Sequence, residues 1–337
     1  MAAKHIDVLG IGNAIVDVLA HAGDEFLNTH GLTKGTMALI DAKTADRVYA
    51  QMAPAVECSG GSAANTIACL ASLGGAGAFI GKVADDQLGE IFGHDIQALG
   101  VQYPTAPLRG GPSTARSLIL VTPDAQRTMQ TYLGASTELG PGDIDEDLVK
   151  ASKVTYLEGY LWDPPDAKEA FVMAAGIAHG AGNLVSLSLS DPFCVDRHRA
   201  DFLDLAEDHI DILFANEEEI MSLYQVSTFD EALQPVRGHC QVAALTRGAK
   251  GSVVVSGDEI HVIDASPAET VADTTGAGDA YAAGFLYGFT QDMALDVCAR
   301  LGSIAACAII GHVGARPETP LKDLIAGFIP RSVNNDP

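Results

Sequence analysis

From about residue 152 onward, β-prone and helical runs alternate. Strand 153–158 is followed by helix 166–179, strand 183–189, helix 198–207, strand 210–214 and helices 217–224 and 229–236. Strands at 241–245, 252–256 and 259–263 come next, and two long helices, about 275–290 and 293–310, close the pattern. Strands separated by helices pair in parallel, because the crossover returns the chain to the same end of the sheet, and the crossover helix then covers a sheet face. The expected class is α/β, with a mainly parallel central sheet between helical layers.

The first half reads differently. His5–Gly10 is a short first strand that runs into Gly-Ile-Gly-Asn13, and 36–41 is another strand. Ala63–Leu73 reads as a helix opened by Gly60-Gly61, with Ser62 as its N-cap; strand 78–83 follows, then helix 87–99, stopped by Gly100. Ser113–Thr122 and Arg127–Leu133, joined by Pro-Asp-Ala-Gln, are a hairpin signal that does not belong to a parallel sheet. These strands are assigned to a small β lid built from about 14–59 and 105–135. The lid is inserted in one domain spanning 1–337, with 331–337 expected to fray.

The formal net charge is −24, from 20 basic and 44 acidic residues. Such a surface repels phosphate backbones and anionic lipid, which argues against nucleic acid and membrane partners. Cysteines at 58, 69, 194, 240, 298 and 307 lack C-x-x-C spacing and read as reduced thiols. No apolar stretch approaches the roughly 20 residues of a spanning helix, and no signal-peptide pattern opens the chain, so a cytoplasmic location is expected.

The sharpest local feature is Asp273-Thr-Thr-Gly-Ala-Gly-Asp279, followed by a helical run. Gly276 and Gly278 let the backbone approach a ligand closely, and the helix start offers free N–H groups to an anion. Beside such an anion hole, formed with Ala277, Asp279 can accept the proton of an attacking hydroxyl. On the glycine pattern alone, a plain helix start capped by an aspartate is an equal reading. The segment is neither a Walker A loop nor a Rossmann fingerprint.

Thr275-Gly-Ala-Gly-Asp-Ala280 resembles the second signature of the ribokinase-like (PfkB-type) carbohydrate and nucleoside kinases. Ser59-Gly-Gly-Ser-Ala-Ala-Asn65 resembles the first. Asn216-Glu-Glu-Glu219 and Thr246-Arg-Gly-Ala-Lys-Gly251 match two further family marks, in the expected order. The resemblance implies a ribokinase-like α/β/α sandwich, ATP and Mg²⁺, with room for a monovalent cation such as K⁺. It implies ATP binding by Asn216, Thr246, Gly248, Gly251 and Thr275, and a metal shell ordered by Glu219 through water. Arg127 is a candidate clamp on the transferring phosphate, with a surface arginine as the alternative. The small-molecule acceptor would lie between lid and sheet, in a monomer or homodimer.

For the acceptor, Gly12-Asn13-Ala-Ile-Val-Asp17 places a carboxylate just after the first strand, where open α/β sheets bind ligands. Asp17 and Asn13 can hold vicinal hydroxyls, Gly60 and Gly61 can touch the same ring, and Asn65 can hydrogen-bond it; Asp17 as a turn residue is the alternative. The spacing G-N-x-x-x-D and the segment Leu189-Ser-Asp-Pro-Phe193 are similar to those of adenosine kinases, which points to the 5′-hydroxyl of adenosine. Tyr160, Trp162 and Phe193 are candidate walls for a base, or ordinary packing. Ala63-Ala64 departs from the bulkier pair of the eukaryotic enzymes. A sugar kinase (ribose, fructose or a keto-deoxy sugar) or a broad nucleoside kinase stays open, as does a non-catalytic nucleoside or sugar sensor, against which the intact Asp279 and glycines speak.

Overall fold

The computed structural model describes residues 5–124 and 126–328; the tail at 331–337 lies outside them. The strands are β1 (Ile6–Ile11), β2 (Ile15–His21), β3 (Met37–Leu39), β4 (Val56–Gly60), β5 (Gly77–Ile80), β6 (Ala115–Val121) and β7 (Arg127–Tyr132). They continue as β8 (Ser152–Glu158), β9 (Leu184–Ser188), β10 (Ile212–Asn216), β11 (Val242–Thr246), β12 (Ser252–Ser256) and β13 (Glu259–Ile263).

Eight of them form one sheet in the order β13-β12-β11-β10-β9-β8-β1-β5. Pairing is parallel from β11 to β5 and antiparallel only at β11/β12 and β12/β13. Alternate residues of each strand feed two separate cores. Val8, Val154, Ile212 and Phe214 pack with the helices Ser62–Ser72, Ala277–Thr290 and Leu295–Ile310. Leu9, Leu157, Leu187 and Leu213 face the helices Pro165–Gly180, Pro192–Asp208 and Phe229–His239 on the other side. The result is the three-layer sandwich expected from the alternation.

A second sheet of five strands runs β3-β7-β6-β2-β4. Its β6/β7 hairpin is antiparallel, as its turn chemistry predicts, and Thr122 N–H closes the turn on Gln126 O at 2.9 Å. The strands β2 and β4 that complete it were not legible individually. Helix Ala42–Tyr49, capped by the Asp41 carboxylate, is pinned to this sheet by Arg116, which pairs with Asp46 and lies over the Tyr49 and Tyr132 rings.

Two sequence expectations need correction. Ser62 is not an N-cap: Gly61 holds the position before the helix, at φ 95°, and the Ser62 hydroxyl points elsewhere. The helix expected at 198–207 begins at Pro192, capped by Asp191, and kinks at His198 (φ −122°, ψ 24°). The local periodicity was therefore visible only beyond the kink. Among the described residues, no helix is long and apolar enough to cross a membrane, and the six cysteines are unpaired.

Candidate active site

The parallel strands all point their C-terminal ends to one edge of the large sheet, and most of the singled-out residues gather there. Register places Ile11 beside Leu157, Glu158 beside Ser188, and Asn216 beside Thr246. Asn13 thus follows β1, Tyr160 follows β8, and Asn216 and Thr246 end neighbouring strands. Gly248 and Gly251 form the short turn from β11 to β12.

Asp279 enters this edge from the helix Ala277–Thr290. Gly276 precedes that helix in the left-handed region (φ 76°), and a Cβ there would lie 2.5 Å from the Ala315 Cβ, so the turn needs glycine twice over. Asp279 is the third helical residue and does not cap its own helix. Its Oδ1 accepts from Ser62 Oγ at 2.6 Å and its Oδ2 from Asn65 Nδ2 at 3.0 Å. Desolvation raises its pKa to about 6, against the lowering effect of the Ser62 and Asn65 hydrogen bonds and the Arg316 charge.

Asp17 comes from the second sheet, on β2, paired with Cys58 of β4. Burial raises its pKa to about 6 as well, opposed by Arg316 and Arg127 and reinforced by Asp279. Gly60 lies against the Asp17 carboxyl: a Cβ there would stand 2.5 Å from it. Gly61 is forced by its φ of 95° and by the Asn13 carbonyl pressed against it. The first glycine signature thus brings β4 and the helix Ser62–Ser72 onto both carboxylates.

Arg127 crosses from β7 to the turn that opens helix Ala277–Thr290. It pairs with Asp273 and donates to Thr275 Oγ1, while its Nη1 is buried without a partner. Asp273 Oδ1 also accepts from Thr275 N–H, and its Oδ2 from Gly314 N–H, both at 2.8 Å. Glu219 and Asn216 form a reciprocal capping box: Asn216 N–H and Nδ2 donate to the two Glu219 oxygens at 2.9 and 2.6 Å, and Glu219 N–H to Asn216 Oδ1 at 2.9 Å. Burial pushes the Glu219 carboxyl up to about 7.

Three placements sharpen the sequence reading. Asn13 is 2% exposed, and its side chain is committed to Glu158 Oε1 (2.7 Å) and to the Ser136 hydroxyl (2.8 Å). Trp162 does not reach the strand-end edge: it is 4% exposed, packed with Phe171 and Phe202, and donates its indole N–H to Asp201 at 2.9 Å. An aromatic a few residues after a strand end can turn either into the core or toward a ligand, and only packing decides. Tyr160 stays 37% exposed and within electrostatic reach of Asp191, Asp279 and Glu219, and Phe193 is 76% exposed.

Three charged residues escaped the sequence reading. Glu158, 1% exposed, accepts from Asn13 and from Ala63 N–H (2.8 Å), and burial lifts its pKa to about 7. Asp273 anchors Arg127, and its place at the head of the glycine segment was the available signal. Arg316 sits 37 positions beyond Asp279 in a loop without periodicity, and no motif marked it.

A buried carboxylate in the first turn of a glycine-opened helix, with an arginine paired beside that turn, fits a phosphotransferase acting on a hydroxyl acceptor. The family model of pfkB family carbohydrate kinases matches residues 36–322, and the chain belongs to that family. An adenosine kinase from Sinorhizobium meliloti has a crystal structure 53% identical in sequence, with a TM-score of 0.89 over 97% of this chain and 100% of that one. A probable sugar kinase from Rhizobium etli CFN 42 is 51% identical, with a TM-score of 0.90 over the same shares. The ATP-dependent ribose-1-phosphate kinase of Halopiger xanaduensis is 30% identical over 278 residues, 80% of this chain and 86% of that protein.

Proposed function

We propose that this kinase transfers the γ-phosphoryl group of ATP to the 5′-hydroxyl of adenosine, giving AMP and ADP. The observation that carries the reading is the Asp279 carboxylate, oriented by Ser62 and Asn65 at the open start of a helix and lifted to about 6. Asp279 accepts the hydroxyl proton as the oxygen attacks the γ-phosphorus, and the bond to ADP breaks in line. The N–H groups of Gly276 and Gly278 stabilise the charge on the transferring group, while Ala277 N–H donates to Thr274 O at 3.2 Å, and Arg127, with Nη1 free, clamps the group.

Asp17 holds the ribose hydroxyls. Asn65 assists, because its Oδ1 is buried and unpartnered while Nδ2 is spent on Asp279. Thr246, Gly248, Gly251, Asn216 and Thr275 line the nucleotide side. Among the described residues, no three His, Cys, Asp or Glu side chains form a metal-ligand set. Glu219, with Asn216, would order water around a Mg²⁺ brought by the nucleotide phosphates, whose charge the ion would neutralise. The five-stranded sheet serves as a lid whose closure excludes water.

Adenosine is favoured by the G-N-x-x-x-D spacing and by the likeness to the S. meliloti enzyme. The ribose-1-phosphate kinase relative supports a second reading, a phosphorylated or free sugar as acceptor, since a carboxylate beside an amide serves any vicinal diol. ADP release measured over adenosine, other nucleosides, ribose, ribose 1-phosphate and fructose tests both. The highest kcat/KM is expected with adenosine; a sugar exceeding it overturns the acceptor, and binding without ADP release overturns the enzyme.

A further inference from the structure

The loop 312–316 joins the turn at Asp273–Gly276 to the end of β4 without supplying a motif residue. Gly314 N–H donates to Asp273 at 2.8 Å, Ala315 packs on Gly276, and the Arg316 carbonyl is held by His312 Nε2 at 2.7 Å. The Arg316 guanidinium then reaches over to the second sheet. Its Nε and Nη2 donate to Ser59 O at 2.9 and 2.7 Å, Nη2 also to Ser59 Oγ at 2.9 Å, and Nη1 to Ala64 O at 3.0 Å. All three acceptor atoms are neutral, so no direct ion pair formed by these four bonds consumes the positive charge. Ser59 is fixed from behind by Asp95, which accepts from both its N–H (2.8 Å) and its hydroxyl (2.5 Å).

We propose that Arg316 is a positioning residue for the transfer step. It locks the end of β4 and the first turn of helix Ser62–Ser72 against the turn that opens helix Ala277–Thr290, and it is the cation that faces both Asp279 and Asp17. Through the first effect it holds Ser62 and Asn65, the two donors that aim Asp279. Through the second it keeps two neighbouring buried carboxylates ionised. The titratable groups that interact with Asp279 are Asp17 from β2, Tyr156 and Glu158 from β8, Tyr160 beyond it, and Cys69 from helix Ser62–Ser72. None of them carries positive charge, and Arg316 lowers the pKa of both Asp279 and Asp17. Arg127 faces Asp17 and is itself paired to Asp273.

This inference rests on Asp279 as the general base. The test is the acid limb of kcat/KM against pH for Arg316→Gln and Arg316→Lys, with Asp279→Asn assayed alongside. Arg316→Gln should move the limb up by roughly one pH unit, because a buried carboxylate loses a cation that favours its charged form. Arg316→Lys should leave the limb in place and lose about tenfold in kcat/KM, since an ammonium cannot present a planar fork to Ser59 and Ala64 together. An unmoved limb in Arg316→Gln overturns the electrostatic role, and wild-type kcat/KM in Arg316→Lys overturns the positioning role even if the Gln variant does not fold. If Asp279→Asn keeps its turnover, the general-base reading fails first; if it is inactive and the Arg316 variants behave as wild type, only the present inference fails.

Discussion

Asp279 and Asp17 carry the same side chain and are both raised to about 6, yet the two regions hold them in opposite ways. The helix start fastens Asp279 with two short-range donors, one on each oxygen. Strand β2 presents Asp17 with no side-chain hydrogen bond among the described residues, and only the charges of Arg316 and Arg127 offset its burial. A group that must receive a proton at a fixed place needs its lone pairs aimed in advance. A group that must grip ligand hydroxyls needs its oxygens free. The difference supports the proposed division, with chemistry at Asp279 and recognition at Asp17.

The largest expected effect breaks the comparison on the chemical side. Asp279→Asn should lose roughly 10²–10⁴ in kcat, the range for a positioned base, with acceptor KM changed little; near-normal ADP release would refute the role. Asp17→Ala should instead raise acceptor KM by roughly 10–100-fold, the worth of a charged hydrogen bond, while the KM for ATP stays put. Equal changes in both Michaelis constants would mean that Asp17 shapes the site and does not grip the acceptor.

Smaller effects sharpen the contrast. Ser62→Ala removes one of two donors and should cost about tenfold in kcat, with the acid limb of the pH profile moved upward from about 6, because the ionised form loses a stabilising hydrogen bond. A limb that moves downward would contradict the observed geometry. Stability gives the smallest signal. Both carboxylates have folded pKa values above the unfolded value of about 4, so the folded state binds their protons more tightly. Stability therefore falls as pH rises from about 4 to about 6, and the cost persists above that. Asp17→Asn removes this cost without orphaning a donor and should raise Tm by roughly 1–3 °C at neutral pH. Asp279→Asn replaces two hydrogen bonds to a charged acceptor with weaker neutral ones and should gain less. Melting curves of the two variants decide the order.

The alternation after residue 152 predicted nearly every strand of the large sheet to within two or three residues, because each buried run there alternates between two cores. The second sheet was legible as its hairpin and as the strand at 36–41, which is β3. Strand β2 interleaves buried and half-buried residues over seven positions and is paired with β6, about a hundred residues away, so no local turn announced it. At the site, the glycine signatures marked Asp279, Gly61 and Asn65 in the sequence. Trp162 shows the reverse: the residue type suggested a wall for a base, and packing on Phe171 and Phe202 took it into the core.

By itself, the sequence determined the layered α/β class, the helix start at Gly276–Asp279 and the order of the four signatures. These depend on periodicity and backbone freedom, which neighbouring residues set among themselves. Tertiary structure alone decided that Asp17 and Asp279 share one electrostatic neighbourhood, that Glu158 and Arg316 belong to it, and that Asn13 is a brace. Burial and charge coupling act between residues up to some three hundred positions apart, such as Asp17 and Arg316, and no local pattern records which distant side chains will meet.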